Sequence, residues 1–433
     1  MSKFYLCTFG CRCNQADSAE MRACLNEASL AETGNPGEAR LIVVNSCTVT
    51  GRADQQVRQT VRRLHRENPR ARLIVTGCYA QRDPEALGRI PGVHAVLGNA
   101  DRERLLEAGL AGPGAAPGVF RSPLAGRPAV LELRATHGGG RTRPNLRVQD
   151  GCDARCSYCI VPSVRGPGRS AAPAQVLEEV RRLVRKGARE IVLTGVHLGA
   201  YGRTLPQPVS LVELLRRMVE IPGLGRLRLS SIEAMDFDRG IVELAAGYPI
   251  LARHFHIPVQ SGSDPVLRRM RRPYTAARYL ELLEHIHGRL PAAGLGTDVM
   301  VGFPGESDAD FRATCELVRR SPLTYLHVFP YSKREATEAA AMPDQIPARV
   351  VQDRCRILRA LSADLNFAFR HRFLGEVLPA VSLAEEEAMG ATFALTDNFI
   401  HVRISGPAPP PNRLIDIRID EVLPRGTRAS VQD

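Results

Sequence analysis

The chain has 433 residues, a formal net charge of +12 and a mean hydropathy of −0.15, which is enough apolar content for two or three domain cores. No run approaches the roughly 18 apolar residues of a membrane span. The opening MSKFYLCTFG lacks the basic stretch and long apolar run of a secretory signal, so a cytoplasmic protein with no membrane partner is expected. Eleven cysteines in a chain of this size do not make a small disulfide scaffold; in a reducing compartment, clustered cysteines read first as metal ligands. The positive charge is nearly all arginine, with only three lysines. It suits a polyanionic partner, although a solvated basic surface carries the same signature.

Three short apolar runs, KFYLCTF (3–9), RLIVVNS (40–46) and RLIVTG (72–77), have the pattern of buried parallel strands. Between the last two, Val57, Val61 and Leu64 recur at helical spacing among arginines. A Gly- and Pro-rich stretch at 111–128 reads as a linker. Strand patterns then appear at 146–149, 190–195, 226–231, 254–259, 296–302 and 325–330, with helical patterns between them, one opened by Pro173. Six βα units in succession predict a partial parallel barrel whose mouth lies at the C-terminal ends of its strands. Residues 347–373 read as one long helix, and the tail as a small OB-like β-barrel. The expected division is an N-terminal parallel-sheet α/β domain at 1–112, a linker at 113–137, a partial (β/α)6 core at 138–368 and a small β-barrel at 371–433.

Cys152, Cys156 and Cys159 are spaced C-x3-C-x2-C just past the first barrel strand. Three thiolates can hold three irons of a [4Fe-4S] cube and leave the fourth iron open, a position that the amino and carboxylate groups of S-adenosylmethionine can fill. A structural zinc site would want a fourth ligand. A second set sits in a repeated context: Cys11, Cys47 and Cys78 each follow a strand of the N-terminal sheet. Strand ends of one parallel sheet share an edge, so these thiols can converge. Spacing alone does not choose between Cys11 and Cys13 as the first member. Cys7, inside a strand, reads as a small packed hydrophobe, and Cys24, Cys315 and Cys355 fall in helical patterns.

Together these phrases resemble the methylthiotransferase family of radical S-adenosylmethionine enzymes, over nearly the whole chain. GCRCNQADSAE, NSCTVT and GCYAQ are similar to its N-terminal domain, whose Gly-Cys-x-x-Asn pattern selects Cys11 over Cys13. VQDGCDARCSYCIVPSVRGPGRS is similar to the radical core, and the tail around LTDNFIHVRI to a TRAM domain, a β-barrel often tied to RNA binding. The resemblance implies two [4Fe-4S] clusters, one on Cys11, Cys47 and Cys78 and the other on Cys152, Cys156 and Cys159. It also implies S-adenosyl-L-methionine, an external electron donor and a sulfur source. One S-adenosylmethionine would methylate a sulfur held at the N-terminal cluster. A second would be cleaved at the core cluster, and its radical would remove a hydrogen from the carbon to be thiolated.

Family members act on adenosine 37 in the tRNA anticodon loop, carrying an isopentenyl or a threonylcarbamoyl group, or on an aspartate of a ribosomal protein. The phrases TGVHLGAYG, SSIEA, HIPVQSGSDPVLRRMRRPYT, GTDVMVGFPGES and HVFPYSKR are most similar to the threonylcarbamoyl group. The resemblance places the cofactor's amino group near Thr194 and Gly195. Ser231, Glu233 and Gln260 lie at later strand ends and face the same mouth. Gly302, in GFPGE, resembles a loop approaching the adenine, although a glycine there also serves a plain turn. His254 and His256 share one strand face, as a metal-binding pair or as core or substrate-facing packing.

Two departures stand out. The family continues YSKR with Gly-Thr-Pro-Ala, whereas this chain reads EATEAA at 335–340, which puts the turn there at issue. The tail from Arg372 onward has six arginines against nine acidic residues, so any field that attracts RNA must come from elsewhere. Two basic stretches could supply it, the seven arginines between Arg52 and Arg72 and RRMRR at 268–272.

Overall fold

A computed structural model describes residues 2–110, 118–133, 142–384 and 392–432. The N-terminal sheet is wholly parallel. Its strands are β1 (Lys3–Thr8), β2 (Ala31–Glu32), β3 (Leu41–Ser46), β4 (Arg72–Gly77), β5 (Val93–Leu97) and β6 (Gly118–Phe120), in spatial order β2-β1-β3-β4-β5-β6. Every residue of β3 is buried because helices cover both faces of the sheet. Ile42 and Val44 pack with Val57, Val61 and Leu64 on one side, while Leu41 and Val43 pack with Met21, Leu25 and Leu105 on the other. The helix Gly51–Glu67 starts where Thr50 accepts a hydrogen bond from the Ala53 amide at 3.1 Å. β6 falls inside the stretch expected as linker and pairs with β5 at the sheet edge. Residues 113–117 and 134–137 of that stretch, with 111–112 and 138–141 beside it, lie outside the described residues.

The core carries β7 (Asn145–Asp150), β8 (Arg169–Ser170), β9 (Glu190–Gly195), β10 (Arg226–Leu229), β11 (His254–His256), β12 (Gly294–Val301) and β13 (Tyr325–Pro330). β10, β9 and β7 run parallel, with β8 antiparallel on the edge; β11, β12 and β13 form a second parallel group. Backbone hydrogen bonds from the Leu227 amide to Ile250 and from the Ala252 amide to Leu227, at 2.7 and 2.8 Å, join the groups. The result is an open barrel of six parallel strands, as the six βα units predict, with one large hydrophobic core beneath its helices.

The helix Ala348–His371 leads out of the core. It ends against a closed five-stranded barrel of β14 (Val377–Ser382), β15 (Phe393–Thr396), β16 (His401–Ser405), β17 (Leu414–Leu423) and β18 (Gly426–Val431). Buried Arg370, near the helix end, donates to the carbonyls of Leu423 and Gly426 at 2.9 and 2.6 Å and so ties helix to barrel. The β15–β16 turn reaches back to the core. Fully buried Arg228 donates to the carbonyls of Thr396 and Asp397 at 2.9 and 3.0 Å, and Arg253 pairs with Asp397 at 2.5 Å. Among the described residues no helix is long and apolar enough to cross a membrane.

Candidate cluster sites and the cavity they share

Each cysteine of the dispersed set is delivered by the end of a strand. Cys11 caps the helix Arg12–Glu27 after β1, Cys47 directly follows β3, and Cys78 opens the short helix Cys78–Arg82 after β4. Gly10 and Gly77, the residues before Cys11 and Cys78, have φ of +98° and +96°, the left-handed region that turns a strand sharply into the next element. At Gly77 a Cβ would stand 2.5 Å from the Ser46 carbonyl oxygen, so a side chain there would push neighbouring strand ends apart.

The three thiols converge. The Sγ atoms of Cys11 and Cys78 lie 3.9 and 3.8 Å from a single atom, Oδ1 of Asn14. The Cys47 sulfur sits 2.9 Å from where a Cβ on Gly10 would stand. All three line one cavity of about 530 Å³. Burial pushes the Cys47 thiol up to about 12 and raises Cys78, so both are thiols until a metal displaces the proton. Cys13 is buried and hydrogen-bonds to Cys11; that bond, with the field of Arg165, holds the Cys11 thiol down at about 6. The donor set suits a cube with one open iron: three sulfurs at one wall of a cavity, with room opposite.

The contiguous set lies on the loop after β7. Its backbone is held by the Cys152 amide on Gly166 at 3.0 Å, by the Cys159 amide on Cys156 at 3.1 Å, and by two bonds from Ser157, its amide on the Met270 carbonyl and its hydroxyl on the Arg269 carbonyl. Cys152 lies 3.4 Å from Nδ1 of His197, whose Nε2 meets Asp236 at 2.6 Å. Burial pushes Cys159 up to about 12 and raises Cys156, which lies in the opposed fields of Arg272 and Glu233.

The expected cofactor residues divide. Thr194, Gly195, Ser231, Glu233 and Gln260 line the same 530 Å³ cavity as the strand-end thiols. The Ser231 hydroxyl meets His256 Nδ1 at 2.7 Å, and Glu233 accepts from buried Arg272 at 2.6 Å. Gly302 is not among the cavity's lining residues. Its φ is +77°, its amide donates to Glu306 at 2.8 Å, and a Cβ there would strike Val351 at 2.4 Å, so what requires glycine is a turn packed under a helix. Cys152 lines a neighbouring cavity of about 750 Å³ with Gln149, His197 and Asp236.

Several residues that the sequence pattern left silent shape the site. Arg165, six residues after Cys159, donates to Asn14 at 2.6 Å, Asp17 at 2.7 Å and Asp150 at 2.8 Å. Arg147 pairs with Asp17, Glu20 and Asp150 at 2.8–2.9 Å, and Arg102 pairs with Asp17. Burial alone would raise Asp17 and Asp150, but these arginines hold both carboxyls well below the usual range. The network joins the N-terminal sheet to the core between the two cysteine sets. Ile160 and Val164 of the core pack on Cys78, and Asn99 donates to the Val164 carbonyl at 2.6 Å.

On the far side Arg334, the last residue of YSKR, donates to Thr48 at 2.9 Å and Asp54 at 2.5 Å, and Ser332 accepts from the Gly51 amide at 3.1 Å, clamping the Cys47 loop. In the altered phrase after it, Ala336 takes φ +70°, a backbone that favours glycine, and Glu338 at the first helical position pairs with Arg271 at 2.6 Å. The cavity's remaining wall is aromatic. His254 meets the Tyr325 hydroxyl at 2.8 Å, His256 and His327 both face Asp298 at 3.2 Å, and Phe399 of the C-terminal barrel stacks on His254 with centroids 4.0 Å apart. The two strand histidines therefore both face the cavity.

Residues 3–98 match Uncharacterized protein family UPF0004, and residues 146–318 match the Radical SAM superfamily. The chain is 35% identical over 428 residues to the threonylcarbamoyladenosine tRNA methylthiotransferase MtaB of Bacillus subtilis, across 95% of this chain and 92% of that protein. The chain belongs to the radical S-adenosylmethionine methylthiotransferases. The tRNA-2-methylthio-N(6)-dimethylallyladenosine synthase of Syntrophotalea carbinolica is 33% identical, with 97% of each chain covered. A radical S-adenosylmethionine methyltransferase from Kitasatospora setae, TsrM, whose structure holds cobalamin and a [4Fe-4S] cluster, shares the fold at a TM-score of 0.59 and 16% identity, across 78% of this chain and 77% of that one. Membership in this enzyme family implies a [4Fe-4S] cluster and S-adenosylmethionine. In this methylthiotransferase Ile160, Val164 and Arg165 follow the C-x3-C-x2-C loop in the chain and reach the strand-end set through Cys78 and Asn14.

Proposed function

We propose that the protein is a tRNA methylthiotransferase that converts N6-threonylcarbamoyladenosine at position 37 of the anticodon loop to its 2-methylthio derivative. The observation that carries this reading is one cavity lined both by Cys11, Cys47 and Cys78 and by the barrel-mouth residues Thr194, Gly195, Ser231, Glu233 and Gln260. Sulfur transfer to an unactivated carbon needs the sulfur carrier and the cofactor at one substrate atom, and the strand-end thiols share a cavity with the candidate cofactor residues. Cys11, Cys47 and Cys78 would hold one [4Fe-4S] cluster, and Cys152, Cys156 and Cys159 the other. When bound, the clusters and S-adenosylmethionine supply the radical and the methylthio group.

The chain's own residues do the rest. Glu233, fixed by Arg272, and Ser231, fixed by His256, present oriented polar groups to the amino acid end of the cofactor. Phe399, Tyr325 and the histidines offer ring faces to a splayed base and exclude water. RNA contact is supported by the helix Gly51–Glu67, where Arg52, Arg62, Arg63 and Arg66 are exposed. In RRMRR, by contrast, Arg272 is buried on Glu233, Arg269 donates to the Gly305 carbonyl and Arg271 pairs with Glu338. The threonylcarbamoyl substrate is supported by the phrases from TGVHLGAYG to HVFPYSKR and by four relatives at 33–36% identity that carry that substrate in their names.

Mass spectrometry of tRNA nucleosides from a strain deleted for this gene tests the reading. Loss of 2-methylthio-N6-threonylcarbamoyladenosine, with accumulation of its unthiolated form, is expected. If that nucleoside persists and the methylthio-isopentenyl derivative or a ribosomal-protein modification disappears instead, the substrate is the other one.

A further inference from the structure

Arg12 follows Cys11 at the start of the helix Arg12–Glu27 and lines the shared cavity. Its cationic neighbours are committed. Arg228 pairs with Glu190 at 2.7 Å, and Arg143 and Arg226 reach the same carboxylate at 3.4 and 3.6 Å. Arg165 is taken by Asp17 and Asp150. Arg12 has no hydrogen bond or ion pair with any described residue. Its guanidinium is a cation at neutral pH, as arginine is throughout the physiological range. Partly buried guanidinium groups are nearly always paired, because an unpaired one loses hydration with nothing to offset the loss. An unpaired guanidinium facing a cavity beside a candidate cluster ligand has the chemistry of a receptor for an anion.

Besides a cluster resident on the adjoining Cys11, three anions could come here: an RNA phosphate, the cofactor's carboxylate and a carboxylate on the substrate base. A phosphate would be met by the exposed arginines of the helix Gly51–Glu67, whereas Arg12 is half-buried and lines the cavity with Cys11 and Tyr325, whose hydroxyl meets His254 at 2.8 Å. The polar groups suited to the cofactor's amino acid end, Ser231 and Glu233, belong to the core strand ends rather than to the N-terminal domain that carries Arg12. The third candidate remains. A threonylcarbamoyl group ends in a free carboxylate and a hydroxyl; an isopentenyl group has neither.

We propose that Arg12 receives the carboxylate of the threonylcarbamoyl substituent and is the residue that selects this substrate over one bearing an apolar isopentenyl group. The inference rests on the reading of function above. The guanidinium donates two hydrogen bonds to the carboxylate, and Tyr325 lines the same cavity. No covalent step is involved; Arg12 is a positioning and selecting residue, and the expected signature is a charge preference rather than a change in the chemistry.

The test uses anaerobically reconstituted full-length enzyme and synthetic anticodon stem–loops that bear threonylcarbamoyladenosine, its methyl ester or isopentenyladenosine. The wild type should bind the acid on the order of 100-fold more tightly than the ester. In R12Q that ratio should fall to about one while affinity for the ester is kept, and R12K should retain part of it. Iron content and absorbance near 400 nm must match the wild type for the variants to count. If R12Q loses iron, the wild-type comparison of acid with ester decides alone. Equal binding of acid and ester by the wild type overturns the proposal. So does an equal loss by R12Q on all three stem–loops, which would mark a phosphate contact. If the wild type binds the acid selectively but never methylthiolates it, the function reading fails while the anion site stands. If it turns the acid over with a ratio near one, Arg12 fails and the function stands.

Discussion

Cys152, Cys156 and Cys159 share one loop of eight residues, whereas Cys11, Cys47 and Cys78 come from three separate strand ends. The strand-end set inherits its geometry from the sheet. β1, β3 and β4 are neighbours in parallel register, so Thr8 lies opposite Asn45 and Ser46 opposite Gly77, and the residues that follow emerge side by side. The loop set has no such frame. Its shape is imposed from outside, by the Ser157 amide on Met270, by Ser157's carbonyl accepting from the Ala339 amide at 2.8 Å, and by the Cys152 amide on the Gly166 carbonyl. Clustering in sequence and rigidity in the fold are therefore opposed here. The set easiest to see in the sequence leans most on distant segments, and the set hardest to see is built into a sheet core.

Removing one set at a time gives the largest expected effect. C152A/C156A/C159A should halve the iron from about eight to about four per chain and abolish reductive cleavage of S-adenosylmethionine. C11A/C47A/C78A should also halve the iron yet leave that cleavage measurable, with no methylthio product. Iron analysis and the assay of 5′-deoxyadenosine check both. If either triple variant loses all of its iron, the two sets do not bind independently.

What the sequence disclosed follows from the same contrast. The six core strands and three of the six N-terminal ones, β1, β3 and β4, were legible because parallel strands buried on both faces read as unbroken apolar runs. The closing barrel was legible from alternation and turn residues. β6 was not, since three residues at a sheet edge carry no pattern and lie in a Gly- and Pro-rich stretch. Within the site, five of the six cofactor candidates share a cavity with Cys11, Cys47 and Cys78 because barrel geometry sends strand ends to one mouth. Gly302 shows why a glycine phrase alone is ambiguous: contact with Val351 already requires the missing side chain. Arg165 and Arg334 were invisible because their partners, Asp17 and Asp54, lie far away in the chain, and no local spacing encodes an ion pair across a domain interface.

Arg165 couples the two sets, since it follows Cys159 in sequence and holds Asn14, the residue touched by Cys11 and Cys78. R165M should cost about 3–5 kcal/mol, because Asp17 and Asp150 lose a buried partner and remain charged. Arg147 still faces both carboxyls, which puts the loss near the lower end. The expected outcome is a fall in thermal midpoint together with faster iron loss from the strand-end set, followed in the C152A/C156A/C159A background. An unchanged rate there would mean that the sheet alone fixes those thiols. R334M, at the Cys47 loop, should act in the same direction by about 1–3 kcal/mol, because Arg82 also pairs with Asp54.

The smallest effect runs the other way and probes the loop set. Ala336 holds φ +70° in the turn that brings the Ala339 amide to Ser157, between Cys156 and Tyr158. A left-handed alanine costs roughly 1–2 kcal/mol relative to its preferred backbone, while a glycine there would lose about 0.4–1 kcal/mol more chain entropy on folding. The difference favours A336G by about 0.5–1 kcal/mol. Thr337 keeps the turn closed in either case, through its amide and hydroxyl on the Arg334 carbonyl at 3.1 and 2.7 Å. A336G should therefore raise the midpoint by about 1–3 °C. It should slow iron loss from the loop set, read in the C11A/C47A/C78A background, and leave the strand-end set untouched in the reciprocal one. An equal change in both sets would mean that the turn supports the whole interface through Arg334 rather than the cysteine loop through Ser157.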